Sequence, residues 1–234
     1  MEPIIEIKNI YKNYGSREIL HGVSFNIMPY DVLAFLGPNG SGKTTTFRII
    51  SRLSNYNSGE VIINRQYYAK NTDLQFVFDQ PILYEELTGR EHLNFVCEIN
   101  KHIVNKKTIQ NLVNEFEVSE YLEERIATYS LGMKKKVQLM CALVLDPKVI
   151  LLDEYISGLD PIGLFMIKKI LKDFAKKGNA VVISTHMLDV AETFCNRAII
   201  IREGKILKEE DNLQSIKSRY KSLEEYFISS VLNE

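Results

Sequence analysis

The chain has 234 residues, of which 45% are hydrophobic and 25% charged, enough for one large or two small domains with a real core. A net charge of −1 leaves no diffuse basic footprint, so no nucleic-acid partner is expected, nor an anionic membrane surface. No apolar run approaches the roughly 20 residues of a membrane helix, and residues 1–8 alternate like a strand instead of reading as a signal peptide, so any work at a membrane is expected to pass through a partner. Cys97, Cys141 and Cys195 are far apart with no C-x-x-C spacing, which points to buried thiols in a reducing cytosol and away from zinc or disulfides.

In chain order, alternation predicts half-buried strands over residues 4–10 and 23–27, with a polar turn and loop over 11–22 between them. Residues 32–36 are an unbroken apolar run of the kind expected of a parallel strand buried on both faces, and 47–50 continue as a helix. Between them, Gly37-Pro38-Asn39-Gly40-Ser41-Gly42-Lys43-Thr44 reads G-x-x-x-x-G-K-T, the phosphate-binding P-loop, with Thr45 next in line. The three glycines allow positive φ and close approach of backbone N–H groups to phosphate. Lys43 is expected to reach the β- and γ-phosphates, and the Thr44 hydroxyl to ligate Mg²⁺. Tyr14, upstream, reads as a loop aromatic that becomes a candidate adenine platform because a P-loop follows.

Further strands are expected at 60–64 and 74–78. Thr88-Gly89-Arg90-Glu91 is a capping box opening an amphipathic helix, and 105–116 and 130–145 are further helices. A four-residue apolar strand at 149–152 ends in Asp153-Glu154, where an aspartate can hold the metal shell and the adjacent acid can polarise the attacking water. A helix over 163–177, a buried strand over 180–184, a hairpin of 198–202 with 205–208, and a helical tail over 211–234 complete the chain.

Together these motifs resemble the ATP-binding-cassette ATPases, over nearly the whole length. Tyr129-Ser130-Leu131-Gly132-Met133-Lys134 is similar to the signature loop L-S-G-G-Q, Ser157-Gly158-Leu159-Asp160 to the D-loop, and Ser184-Thr185-His186 to the switch histidine, while Tyr14 falls at the adenine-stacking position. The resemblance implies an α/β fold: a P-loop NTPase core with a mainly parallel central sheet, an N-terminal antiparallel β subdomain and an inserted helical signature subdomain. One domain over 1–234 would then divide into a catalytic core (1–79 and 146–210), a helical subdomain (80–145) and a C-terminal helical tail (211–234). It also implies ATP and Mg²⁺ as ligands, and two cassettes packed head to tail as a homodimer, with Ser130 and the N–H of Gly132 covering the γ-phosphate held by the other subunit. Glu154 would be the general base, His186 the γ-phosphate sensor, and Thr44, Gln80 and Asp153 the metal set.

The departures are local. Tyr155 and Ile156 stand where the family usually has proline and threonine, Leu131 and Met133 replace signature residues, and Asp79 occupies the usual glutamine position with Gln80 one later. Lys134-Lys135-Lys136 reads as a solvated face of the signature helix. The stretch Leu83-Tyr84-Glu85-Glu86-Leu87-Thr88-Gly89-Arg90-Glu91-His92-Leu93 is similar to that of cassettes serving drug or antibiotic-peptide export. The expected function is therefore an ATPase subunit energising a separate transmembrane permease from the cytoplasmic face of the membrane. A soluble cassette acting on ribosomes or DNA is the alternative.

Overall fold

The polar stretch expected to be a loop at 11–22 is mostly strand. Strand β1 (Ile5–Tyr14) and strand β2 (Arg17–Ile27) pair antiparallel as far as Tyr14 opposite Arg17, leaving Gly15 and Ser16 as the turn. Three register irregularities along the pair break the strict alternation that would have announced it. This hairpin and β4 (Ser58–Ile63) form an antiparallel sheet of order β2-β1-β4.

The computed structural model describes residues 1–216 and 220–232. In it the apolar run Val32–Leu36 is strand β3, all five residues buried. Its sheet also contains β5 (Leu74–Val77), β6 (Val149–Asp153), β7 (Ala180–Thr185), β8 (Arg197–Arg202) and β9 (Lys205–Glu210), in the order β5-β6-β7-β3-β8-β9. All neighbours run parallel except β9, which returns antiparallel along β8. A strand without a polar face must be covered on both sides, and successive side chains of β3 enter two different cores.

On one side Leu33 and Phe35, with Leu151 and Val182, pack against Phe47 and Ile50 of helix α1 (Lys43–Ile50) and against Phe25 of the antiparallel sheet. The rings of Phe25, Phe35 and Phe47 stand 5.2 and 5.7 Å apart in sequence. On the other side Ala34 and Leu36, with Ile150 and Ile183, pack under a helical layer. That layer holds α2 (Gly89–Ile99), α3 (Lys106–Glu115), α4 (Leu131–Leu143), α5 (Pro161–Ala175) and α6 (Leu188–Phe194). The tail contributes α7 (Leu213–Ile216) and α8 (Leu223–Leu232); contrary to the expected helix over 211–234, residues 211–212 and 220–222 are not helical, and 217–219 and 233–234 lie outside the described residues.

Helix starts are fixed by their caps. The box at Thr88 closes reciprocally, with Thr88 Oγ1 accepting from Glu91 N at 3.1 Å and the Glu91 carboxylate accepting from Thr88 N at 2.9 Å. Ser130 caps α4 by accepting from Met133 N, and Asp160 caps α5, with Pro161 next, by accepting from Gly163 N.

Candidate active site

The buried strand β3 delivers the chain to the C-terminal edge of the parallel sheet, and Gly37–Gly42 turns there into α1. Gly40 and Gly42 hold φ of 80° and 106°, the left-handed region that glycine occupies without strain. Gly37 differs from the expectation of positive φ. Its requirement is steric, since a Cβ there would stand 2.2 Å from the carbonyl oxygen of Ile201. Lys43, 5% exposed, donates from Nζ to the carbonyls of Gly37 at 2.8 Å and Pro38 at 3.2 Å. Its third close acceptor is Glu154 Oε1 at 3.4 Å, an ion pair without hydrogen-bond geometry.

From the loop a chain of hydrogen bonds crosses to the ends of β6 and β7. Thr44 Oγ1 donates to Asp153 Oδ2 at 2.7 Å, and Ser184 Oγ donates to Asp153 Oδ1 at 2.5 Å. Ser184 Oγ also accepts the N–H of Glu154 at 3.0 Å, with the Ser184 carbonyl at 3.1 Å from the same nitrogen. Glu154 Oε2 meets His186 Nδ1 at 2.9 Å, where His186 leaves the sheet edge and becomes exposed. Parallel pairing explains why these residues meet: Asp153 is in register with Ser184, so the acidic pair and the histidine emerge from adjacent strand ends. Glu154 has φ of 49°, an unfavourable backbone for a non-glycine residue.

A cavity of about 300 Å³ opens over the loop, lined by Asn39, Gly40, Gly42, Lys43, Thr44, Thr45 and Glu154 together with Arg17 and Ile19 of β2. Those last two carry no motif and lie in the polar stretch expected to be a loop, so nothing in the sequence marks them. A larger cavity of about 920 Å³ lies between α3 and α5, lined by Leu112, Phe165 and Ile170, and brings none of the sequence-marked residues together. Ser41 Oγ and Glu154 Oε1 are buried without a hydrogen-bond partner, which marks a polar cradle.

Four expected site residues belong neither to the P-loop nor to the hydrogen-bonded chain from Thr44 to His186. Tyr14 ends β1 with its hydroxyl 3.3 Å from Ser54 Oγ and the Lys12 ammonium 4.5 Å from its ring centroid. Gln80 is exposed and donates to Asp79 Oδ2 at 3.3 Å. Ser130 is exposed at the N-terminus of α4, and Gly132 has open space where a Cβ would stand. One expectation is overturned. Lys135 is no part of a solvated face: it is 1% exposed and points inward, because α4 turns its 135, 139 and 142 positions onto the core.

Comparison with known proteins agrees with this arrangement. Residues 20–157 match the family described as ABC transporter. The lantibiotic transport ATP-binding protein SrtF of Streptococcus pyogenes is 32% identical over 234 residues, covering 99% of each chain. A solved ATP-binding subunit of an ABC transporter superposes with a TM-score of 0.86 at 27% identity, over 97% of this chain and 99% of that one. The ATP-binding cassette MJ0796, solved as a dimer in a post-hydrolysis state with ADP and Pi, superposes with a TM-score of 0.78 at 27% identity, over 89% and 98%. With the P-loop, the paired acids at the end of β6 and the α/β architecture all in place, the chain belongs to the ABC transporter family, as an ATP-binding subunit.

Proposed function

We propose that this chain hydrolyses ATP with Mg²⁺ as one of two cassettes packed head to tail, and that the stroke drives export through a separate permease. The observation that carries the hydrolytic reading is the bonded relay Thr44–Asp153–Ser184–Glu154–His186, which joins the phosphate loop to a carboxylate facing the same cavity. Phosphoryl transfer asks mainly for positioning and charge stabilisation, and each part has a resident. Residues Gly37–Thr45 cradle the phosphates at the N-terminus of α1, where backbone N–H groups and the helix dipole favour anions. Lys43 exchanges its carbonyl partners for phosphate oxygens. Glu154 accepts the proton of the attacking water or orients it, and His186, bonded to Glu154, meets the γ-phosphate. Tyr14 stacks on the adenine, with Arg17 and Ile19 beside the loop on the same hairpin.

The donor set suits Mg²⁺. Thr44, Asp153 and Gln80 offer hard oxygens, and among the described residues no cluster of three or more His, Cys, Asp and Glu forms an all-protein cage. Mg²⁺ takes few protein ligands and completes its shell with phosphate and water. Thr44, Asp153 and Gln80 would hold the ion, which would supply neutralisation of the charge that develops on the terminal phosphates. Gln80 is preferred over Asp79 because Asp79 is ion-paired with the Lys135 ammonium at 3.2 Å, a positive charge that opposes a cation there.

The dimer reading rests on Ser130, exposed at the N-terminus of α4, and Gly132, with open space where a Cβ would stand, neither of which lines the cavity over their own chain's P-loop, and on MJ0796 having been solved as a dimer. Export of a peptide antibiotic or drug-like cargo rests on full-length similarity to SrtF, named for lantibiotic transport. Among the described residues no helix is long and apolar enough to cross a membrane, so docking on a permease at the cytoplasmic face supplies the membrane attachment. The whole chain then works as a single cassette: a core of 1–79 and 146–210, a helical subdomain of 80–145 and a tail of 211–234. Glu154→Gln tests the reading. It is expected to retain ATP, to slow turnover at least about 100-fold, and to elute as a nucleotide-bound dimer on gel filtration. A monomer at saturating ATP refutes the paired site.

A further inference from the structure

Three consecutive lysines on a helix point about 100° apart, so they cannot share one environment. Lys134 ion-pairs with Glu85 at 2.5 Å near the surface. Lys135 is a different case: a charged side chain 1% exposed must have its donors satisfied or the burial is prohibitive. It has three donors and three acceptors. Nζ donates to the carbonyl of Ser157 at 2.7 Å, to the carbonyl of Tyr155 at 2.9 Å and to Asp79 Oδ1 at 3.2 Å.

The two carbonyls bracket the turn that follows Glu154, and one of the bonded residues answers in the opposite direction. Tyr155, fully buried, donates its hydroxyl to the carbonyl of Lys135 at 2.6 Å. Burial pushes that phenol well above its ordinary range, so it remains a donor. The Lys135 ammonium also stands 5.6 Å from the Tyr155 ring centroid. Lys135 and Tyr155 therefore hold each other through two bonds of opposite sense.

What lies between the clamp and the sheet is Glu154. Its left-handed backbone persists only where the surroundings over-determine it. From the strand side its N–H is held by Ser184, and its carbonyl accepts the N–H of Ser157 at 3.2 Å across the turn. From the helix side, the same turn is held at Tyr155 and Ser157 by a single ammonium.

We propose that Lys135 is a positioning residue for ATP hydrolysis: with Tyr155 it forms a reciprocal clamp that fixes the turn carrying Glu154 and ties it to helix α4. The proposal rests on the reading of Glu154 as the group that handles the attacking water. The clamp acts on the rate of hydrolysis and leaves nucleotide binding alone, since neither residue lines the cavity over the P-loop.

The experiment uses the full chain with Mg²⁺, measuring turnover, affinity for a fluorescent ATP analogue, and folding by circular dichroism. Lys135→Met is expected to lower kcat at least about tenfold with the analogue Kd within about threefold, a loss equivalent to roughly 1.4 kcal/mol of transition-state stabilisation. Lys135→Arg, which still donates to both carbonyls, recovers most of the rate. Tyr155→Phe removes one hydroxyl and is expected to cost about three- to tenfold. Single-turnover hydrolysis of radiolabelled ATP then separates the proposals. In a Glu154→Gln background, adding Lys135→Met costs less than twofold, because the group being positioned is gone. An undiminished penalty in that background overturns the clamp. So does unchanged turnover of Lys135→Met beside an inactive Glu154→Gln. If Lys135→Met does not fold, a folded Tyr155→Phe with unchanged kcat overturns it equally. Unchanged turnover of Glu154→Gln alone overturns the reading of Glu154, and the clamp with it.

Discussion

Ser184 is the hinge of the proposed relay, and Ser184→Ala isolates it. The side chain is fully buried and makes two bonds, donating to the Asp153 carboxylate at 2.5 Å and accepting from Glu154 N at 3.0 Å. A hydrogen bond to a charged group contributes about 1.5–3 kcal/mol, and a neutral one about 0.5–1.5 kcal/mol. The Glu154 N–H keeps the Ser184 carbonyl at 3.1 Å, so most of its share survives, and the Asp153 bond dominates. The expected loss is therefore about 2–3 kcal/mol of stability, which for a chain of this size lowers Tm by roughly 5–10 °C. The methyl group fills nearly the same space, so no cavity contributes. On the proposed mechanism catalysis should suffer too, because both the Asp153 carboxylate and the backbone of Glu154 lose a fixed neighbour; a kcat drop of about ten- to 100-fold corresponds to about 1.4–2.8 kcal/mol. Differential scanning fluorimetry and a coupled ATPase assay measure the two effects. Wild-type Tm and turnover together would refute the relay as a positioning device.

Two further expectations follow from single side chains. Lys43→Ala removes the ammonium from the phosphate loop and is expected to abolish binding of a fluorescent ATP analogue or reduce hydrolysis to background; normal turnover refutes the site. Stability should also depend on pH through His92, which is buried against Tyr84 and Phe95 and accepts from Tyr84 N at 3.5 Å. Burial holds its pKa below the ordinary 6.5, so below that pH the unfolded chain binds a proton that the folded chain refuses. Stability is then fully present above the unfolded value and falls as pH drops beneath it. His92→Gln is expected to flatten this slope in urea titrations run from pH 7.5 down to 5.5; an unchanged slope assigns it to another group.

What the sequence disclosed, and what it hid, follows from how each segment meets solvent. The strands buried on both faces are read from continuous apolar runs, residues 32–36 and 149–152, that nothing else explains. The P-loop and the acids after β6 carry chemistry in their spacing. The β1–β2 hairpin was misjudged because its distal half is exposed and its register is broken, so polar residues sit where a regular strand would alternate. Arg17 and Ile19 were lost with it. Lys135 was hidden for the opposite reason: a lysine run reads as solvated, and only its spacing with Leu139 and Ala142 on one helix face hinted at the core. Hydrogen bonds such as Thr44 to Asp153 join residues 109 positions apart, a pairing that motif spacing cannot disclose.

The lysine of the P-loop carries one more consequence. By donating to the carbonyls of Gly37 and Pro38, Lys43 spans the loop it belongs to like a strut, closing residues 37–43 into a ring. A glycine-rich segment left to itself would surrender much chain entropy on binding an anion. Here that ordering is achieved during folding, so nucleotide capture becomes a swap of oxygen partners around one nitrogen. On-rates should then track diffusion and charge more than loop rearrangement.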